Sequence, residues 1–266
     1  MNMLSRSWRT FAFGFCFAMF GLGGLAIRGI VFPGMLLLPR RIEREKFAKN
    51  FISHAMATFV WLMKVTGAIR FTVHGAEKLN RPGLLILANH PSLIDVVILM
   101  ALTKRPDCVV KASLWNNPFT AGPVRVAGYI SNASGPGLVA DAIESIGRGN
   151  NLIVFPEGTR TGPLGEMSFQ RGAANIAVRG NIAITPVVIT VSEKTLTKSS
   201  KWYRPPPTKP HFSIHVLDDV AVAPLITGKG EPALQARWLT AWLEQFFSRE
   251  IAQHGPTGRR DQNADY

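Results

Sequence analysis

The sequence predicts an α/β fold, a mixed, mostly parallel sheet flanked by helices, and two observations predict it. Apolar runs of strand length alternate with segments of helix length, the pattern of strands joined by crossover helices. Glycine- and proline-bearing turns punctuate those runs, as at Arg81-Pro82-Gly83 and at Gly147 and Gly149. A segment of different character comes first. Phe11 to Ile27 is uncharged over 17 residues, and apolar character resumes from Gly29 to Pro39 after the single Arg28. The expected division is an N-terminal hydrophobic and amphipathic helical segment over 1–67, one α/β domain over 68–252, and a polar tail over 253–266.

The N-terminal stretch reads as a membrane-anchoring device. Arg6 and Arg9 precede it; Arg40, Arg41, Arg44, Lys46 and Lys49 follow it, and cations on both flanks keep both ends on the cytoplasmic side. Each half is short for a span, and Gly21, Gly23, Gly24, Gly29 and Pro33 invite a break, so a hairpin in one leaflet is expected ahead of a single span. A cleaved signal is disfavoured, because no small-x-small cleavage site is visible. Phe47 to Val65 follows as an amphipathic helix.

Within the α/β part, Ile69–Val73, Leu84–Ala88, Cys108–Lys111, Leu152–Phe155, Ile182–Val191 and Phe212–Leu217 read as strands. Leu93–Leu102, Leu138–Ile146, Gln170–Val178 and Leu234–Ile251 read as helices. Leu93–Leu102 is apolar nearly all round, which predicts burial. A turn is expected around Asn116-Asn117-Pro118.

Composition narrows the partners. Hydrophobic residues make up 47% of the 266-residue chain, and the formal net charge is +13, so an anionic partner is implied. Nucleic acid is excluded by the lack of any binding motif and the sparse interleaving of aromatic and basic residues. An anionic membrane fits the pairing of excess charge with long apolar stretches. The basic stretch Lys194–Lys209, with Trp202 and Tyr203, reads as an interfacial anchor, or as a landing place for an acidic acyl carrier protein or the phosphates of coenzyme A. Cys16 and Cys108 sit in apolar surroundings, too isolated for a disulfide framework or a metal site.

Two blocks carry chemistry. Asn89-His90-Pro91-Ser92-Leu93-Ile94-Asp95 follows a buried strand, with Pro91 expected to open a helix and Asp95 to lie about one turn in. A carboxylate there fixes the tautomer of His90 and raises its basicity, as a general base for a hydroxyl requires. About sixty residues later comes Phe155-Pro156-Glu157-Gly158-Thr159-Arg160, again directly after a strand. No G-x-S-x-G elbow is present, which argues against a serine hydrolase.

Together the blocks resemble those of the glycerolipid acyltransferase family, whose best-known bacterial members acylate 1-acylglycerol-3-phosphate. The likeness spans roughly residues 70 to 220. It implies a transfer without metal or cofactor, from acyl-CoA or acyl-ACP as co-substrate to the hydroxyl of a lysolipid acceptor, at the cytoplasmic face of a bacterial-type inner membrane. It implies catalysis by His90 as general base with Asp95, and substrate binding by Glu157, Gly158, Thr159 and Arg160, with Lys111 and Arg171 adding charge. Arg160 is expected to grip an acceptor phosphate, and Glu157 to support the acceptor site or to position the arginine. Amides after Pro91 or around Gly158 are candidates for the oxyanion site. One departure stands out: the stretch from Gly128 to Ser134 lacks the arginine usual in the family, and the next basic residue is Arg148. One lost charge-assisted contact costs about 1.5–3 kcal/mol, so an acceptor other than a glycerophosphate, or a non-enzymatic module that binds acyl carriers, stands as an alternative.

Overall fold

The computed structural model describes residues 3–35, 41–117, 121–133, 135–161, 167–193, 195–197, 203, 206 and 208–255. Most of the expected basic loop 194–209, the turn at Pro118 and the tail beyond 255 lie outside them.

Helix α1 (Met3–Ala26) continues through a π-turn (Ile27–Val31) into α2 (Phe32–Met35). The expected break is therefore absorbed. A π-turn widens the helix by one residue, which accommodates the ring and missing donor of Pro33. By length and composition Arg6–Met35 is sufficient to cross a membrane. Helix α3 (Arg41–Val65) returns antiparallel along α1: Phe17 and Phe20 meet Phe59, and the Trp8 indole donates to the Thr66 carbonyl. The buried side of α3 is Ala48, Ile52, Phe59 and Met63, a helical repeat of four, seven and four. On the other side of α1, Trp8, Phe11, Phe15, Met19 and Leu22 form an exposed apolar stripe.

Lys49 corrects the reading of the cationic flank. It is fully buried, not a surface charge, and pairs with Asp107 at 2.7 Å. Asp107 also accepts from the Ser145 hydroxyl and from the Cys108 amide. Satisfying the carboxylate this way is what allows a charged pair inside the core.

The sheet comprises β1 (Arg70–His74), β2 (Leu85–Ala88), β3 (Pro106–Val110), β4 (Ile130–Ser131), β5 (Asn151–Val154), β6 (Ile184–Val191) and β7 (His211–Val216), in the order β1-β7-β6-β2-β5-β3-β4. All pairings are parallel except β6 with β7. Helices α4 (Asp95–Leu102), α5 (Ala121–Val126), α6 (Leu138–Gly147), α7 (Gly172–Gly180), α8 (Val222–Ile226) and α9 (Pro232–His254) complete the chain. One apolar core joins α1, α3 and α4 to one face of the sheet; the other lies between the opposite face and α6, α7 and α9. The central strands β2 and β6 are buried almost throughout, as parallel strands covered on both faces must be.

Candidate active site

Strands β2, β5 and β3 run parallel, so the loops after them emerge at one edge of the sheet, where open α/β folds place ligands. Those loops carry His90, the Phe155–Arg160 block and Lys111.

Asn89, buried, leaves β2 by exchanging two side-chain hydrogen bonds with Ile189, donating to its carbonyl at 2.8 Å and accepting from its amide at 2.7 Å. His90 comes next. Its Nδ1 lies 3.1 Å from the Asp95 carboxylate, its ring stacks on Phe155 at 4.2 Å, and its side chain is 17% exposed. With Nδ1–H directed at Asp95, Nε2 is left as the proton acceptor.

Asp95 does not lie one turn into a helix that Pro91 opens. It is the first residue of α4, and its carboxylate accepts the Ser92 amide at 2.6 Å, holding residues 91–94 as a turn. The Leu93 amide donates to Leu196, and the Gly158 amide to Phe155. All three of these amides are thus used within the protein, which removes them as oxyanion donors.

The second block meets the first through Glu157. Its carboxylate accepts the His90 amide at 2.8 Å and the Thr161 hydroxyl at 3.2 Å, while the Thr161 amide donates back to the His90 carbonyl at 2.8 Å. Glu157 therefore braces the backbone of the histidine; positioning Arg160, one of its two expected tasks, is not what its bonds do. Gly158 has φ +66°, which explains glycine in this turn. Arg160 uses Nη1 to bind the Leu196 and Thr197 carbonyls, both at 2.9 Å, so it secures that loop. Thr159, Lys111 and Arg171 are exposed, Lys111 at the end of β3 and Arg171 at the start of α7. The structure thus unites His90, Asp95 and Glu157 and leaves Lys111 and Arg171 outside their hydrogen-bond network. Beside the site is a cavity of about 370 Å³, walled by Asn89, Pro91, Thr161, Met167 and Ile251.

The family model described as Acyltransferase matches residues 70–190, which contain both blocks. The 1-acyl-sn-glycerol-3-phosphate acyltransferase of Pseudomonas aeruginosa is 25% identical over 231 residues, 84% of each chain. These matches support the likeness to the glycerolipid acyltransferase family that the two blocks carry. The protein is an acyltransferase. The lyso-ornithine lipid O-acyltransferase of Pseudomonas aeruginosa is 30% identical over 134 residues, 49% of this chain and 52% of that protein. The fold matches the crystal structure of the 1-acyl-sn-glycerophosphate acyltransferase of Thermotoga maritima with a TM-score of 0.68 at 21% identity, over 96% of this chain and 99% of that one.

In this acyltransferase, burial pushes the Asp95 carboxyl up to about 6, with the hydrogen bond and charge of His90 opposing the rise. Burial likewise raises Glu157. Above pH 6 Asp95 is ionised and holds Nδ1–H; below it the pair loses its negative charge. The kcat/KM profile is expected to show an acid limb with an apparent pKa near 6, as Asp95 loses its charge. Stability runs the other way. A carboxyl raised on folding favours the fold most when protonated, and that advantage is lost as pH rises through about 6. Asp95→Asn should therefore melt at or above the wild-type temperature at pH 8 while losing most of its rate. A lower melting temperature there would refute the burial argument.

Three contributors escaped the sequence reading: Asn89, Phe155 and Thr161. The first two stood inside the quoted blocks as letters without a role, because their partners, Ile189 and the His90 ring, become neighbours only when β6 and β5 flank β2.

Proposed function

We propose that the protein is a membrane-associated O-acyltransferase moving an acyl chain from acyl-CoA or acyl-ACP to the hydroxyl of a lysolipid, 1-acylglycerol-3-phosphate or a related lysophospholipid. The observation carrying this is the His90–Asp95 pair, with Nδ1 committed to a buried carboxylate and Nε2 left to accept a proton. The acceptor oxygen attacks the thioester carbonyl as its proton passes to Nε2 of His90. The tetrahedral intermediate collapses, the carbon–sulfur bond breaks, and the imidazolium returns the proton to the leaving thiolate. Asp95 stabilises the imidazolium between the two steps.

Membrane association rests on the exposed apolar stripe of α1, and α3 exposes Trp61 and Val65 as well. With cations on its flanks, it would hold the site at the cytoplasmic face of a bacterial-type inner membrane.

For the acceptor, the register of β3 with β4 pairs Val110 with Ser131 and brings Lys111 beside Asn132, within the stretch that lacks the family's arginine. Lys111 is the cation we assign to the acceptor phosphate there, with the remaining edge of Arg160 as a second contact. In a panel of lysophosphatidic acid, other lysophospholipids and lyso-ornithine lipid, transfer to lysophosphatidic acid is expected. Lys111→Ala should raise its KM about tenfold, with ester as the product and no free acid. Transfer confined to lyso-ornithine lipid would favour the second reading, a phosphate-free acceptor, for which the uncharged residues 129–133 are the observation.

A further inference from the structure

Four of the six histidines gather away from His90, on the face of β1, β7 and β6 that the C-terminal end of α9 overhangs. They line a cavity of about 720 Å³, His74, His211, His215 and His254, together with Lys64 and Arg70. The rings of His74, His215 and His254 stack in series, with centroids 4.5 and 4.1 Å apart. Hydroxyls fill the gaps: Ser213 lies 2.9 Å from His215 Nε2, Thr72 lies 3.1 Å from His211 Nε2, and Thr190 donates to the His254 carbonyl.

The set has the chemistry of an anion site. No Asp or Glu is among the described residues lining it, and Glu250, 3.6 Å from His254, is the acidic neighbour on α9. Lys209 adds charge beside Arg70. A metal centre is not indicated, since no group of three or more His, Cys, Asp or Glu among the described residues could hold an ion. The volume suits a small molecule. His74, exposed at one end of the stack, offers a ring face of the kind on which nucleobases stack.

Position gives the ligand its identity. This cavity and the one beside His90 share Thr190 and Gly255 as walls. From β6 to β1 is two strand spacings, roughly 10 Å. We propose that the histidine-lined cavity receives the phosphorylated nucleotide end of a coenzyme-A-type acyl donor, whose thioester end reaches the His90 site past Thr190. This rests on the acyl-thioester reading above and chooses the small nucleotide carrier over a carrier protein.

The test begins with binding, which needs no turnover. Full-length protein in detergent is titrated calorimetrically with adenosine 3′,5′-bisphosphate and, separately, with inorganic tripolyphosphate. Arg70→Ser and His74→Gln, both at exposed positions, are each expected to weaken the nucleotide about tenfold. Arg179→Ser, on the outer side of α7, makes the same charge change as Arg70→Ser elsewhere and should match wild type. In transfer assays, KM for acyl-CoA should rise by a similar factor in the two cavity variants. Equal nucleotide affinity in all four proteins overturns the proposal. So does tripolyphosphate binding that depends on Arg70 with an unchanged KM for acyl-CoA, which would mark a free-phosphate site, or transfer from acyl-ACP alone. A wild-type protein that transfers from no thioester yet binds the nucleotide through Arg70 would refute the parent reading and leave the site standing.

Discussion

His90→Ala is expected to lower kcat by about 10²–10⁴-fold, the usual contribution of a positioned general base, with a smaller change in the KM for the acceptor. The ring makes two links in the structure, to Asp95 and to Phe155. The backbone of residue 90 is held separately by Glu157 and Thr161, so the loop should keep its course without the imidazole. Circular dichroism should therefore match wild type while purified membranes carrying the variant lose transfer. Wild-type rates in that assay would sink the general-base assignment.

The largest stability effect is expected at Lys49. Removing one partner of a buried ion pair leaves the other charge stranded in the core, at a cost of about 3–5 kcal/mol. Lys49→Met should lower the unfolding free energy by that amount, strand Asp107 and loosen α3 from β3. The double variant Lys49→Met with Asp107→Leu should recover much of the loss, because no charge remains buried; the Ser145 hydroxyl then keeps Asn150 as a partner. Chemical denaturation of the four proteins gives the coupling directly. A coupling near zero would show that the pair contributes nothing beyond packing.

Six of the seven strands among the described residues are legible in the sequence, because a buried strand is a short apolar run bounded by turns. The missed one, β4, has two residues, below the length at which alternation can be seen. Helices α5 and α8 are similarly brief. The two blocks showed which residue types meet; the division of labour between them was not legible. Glu157 and Arg160 are neighbours in sequence, so a joint task was the natural reading, yet the turn at Gly158 sends one to the His90 amide and the other to the 196–197 carbonyls. Lys49 was misread because basic residues after an apolar helix usually face solvent. Its partner lies 58 positions away, and no local pattern announces such a pairing.

The double bond pair between Asn89 and Ile189 reaches beyond the ladder it extends. A side-chain amide completes the last rung between β2 and β6, so residue 90 is the first free to turn upward, and it starts from the centre of the sheet. Loops at the edges of α/β folds are commonly the yielding parts of a catalytic apparatus. Here the histidine is seated like a post in masonry, and any fitting of reactants to it must come from the surfaces that approach it.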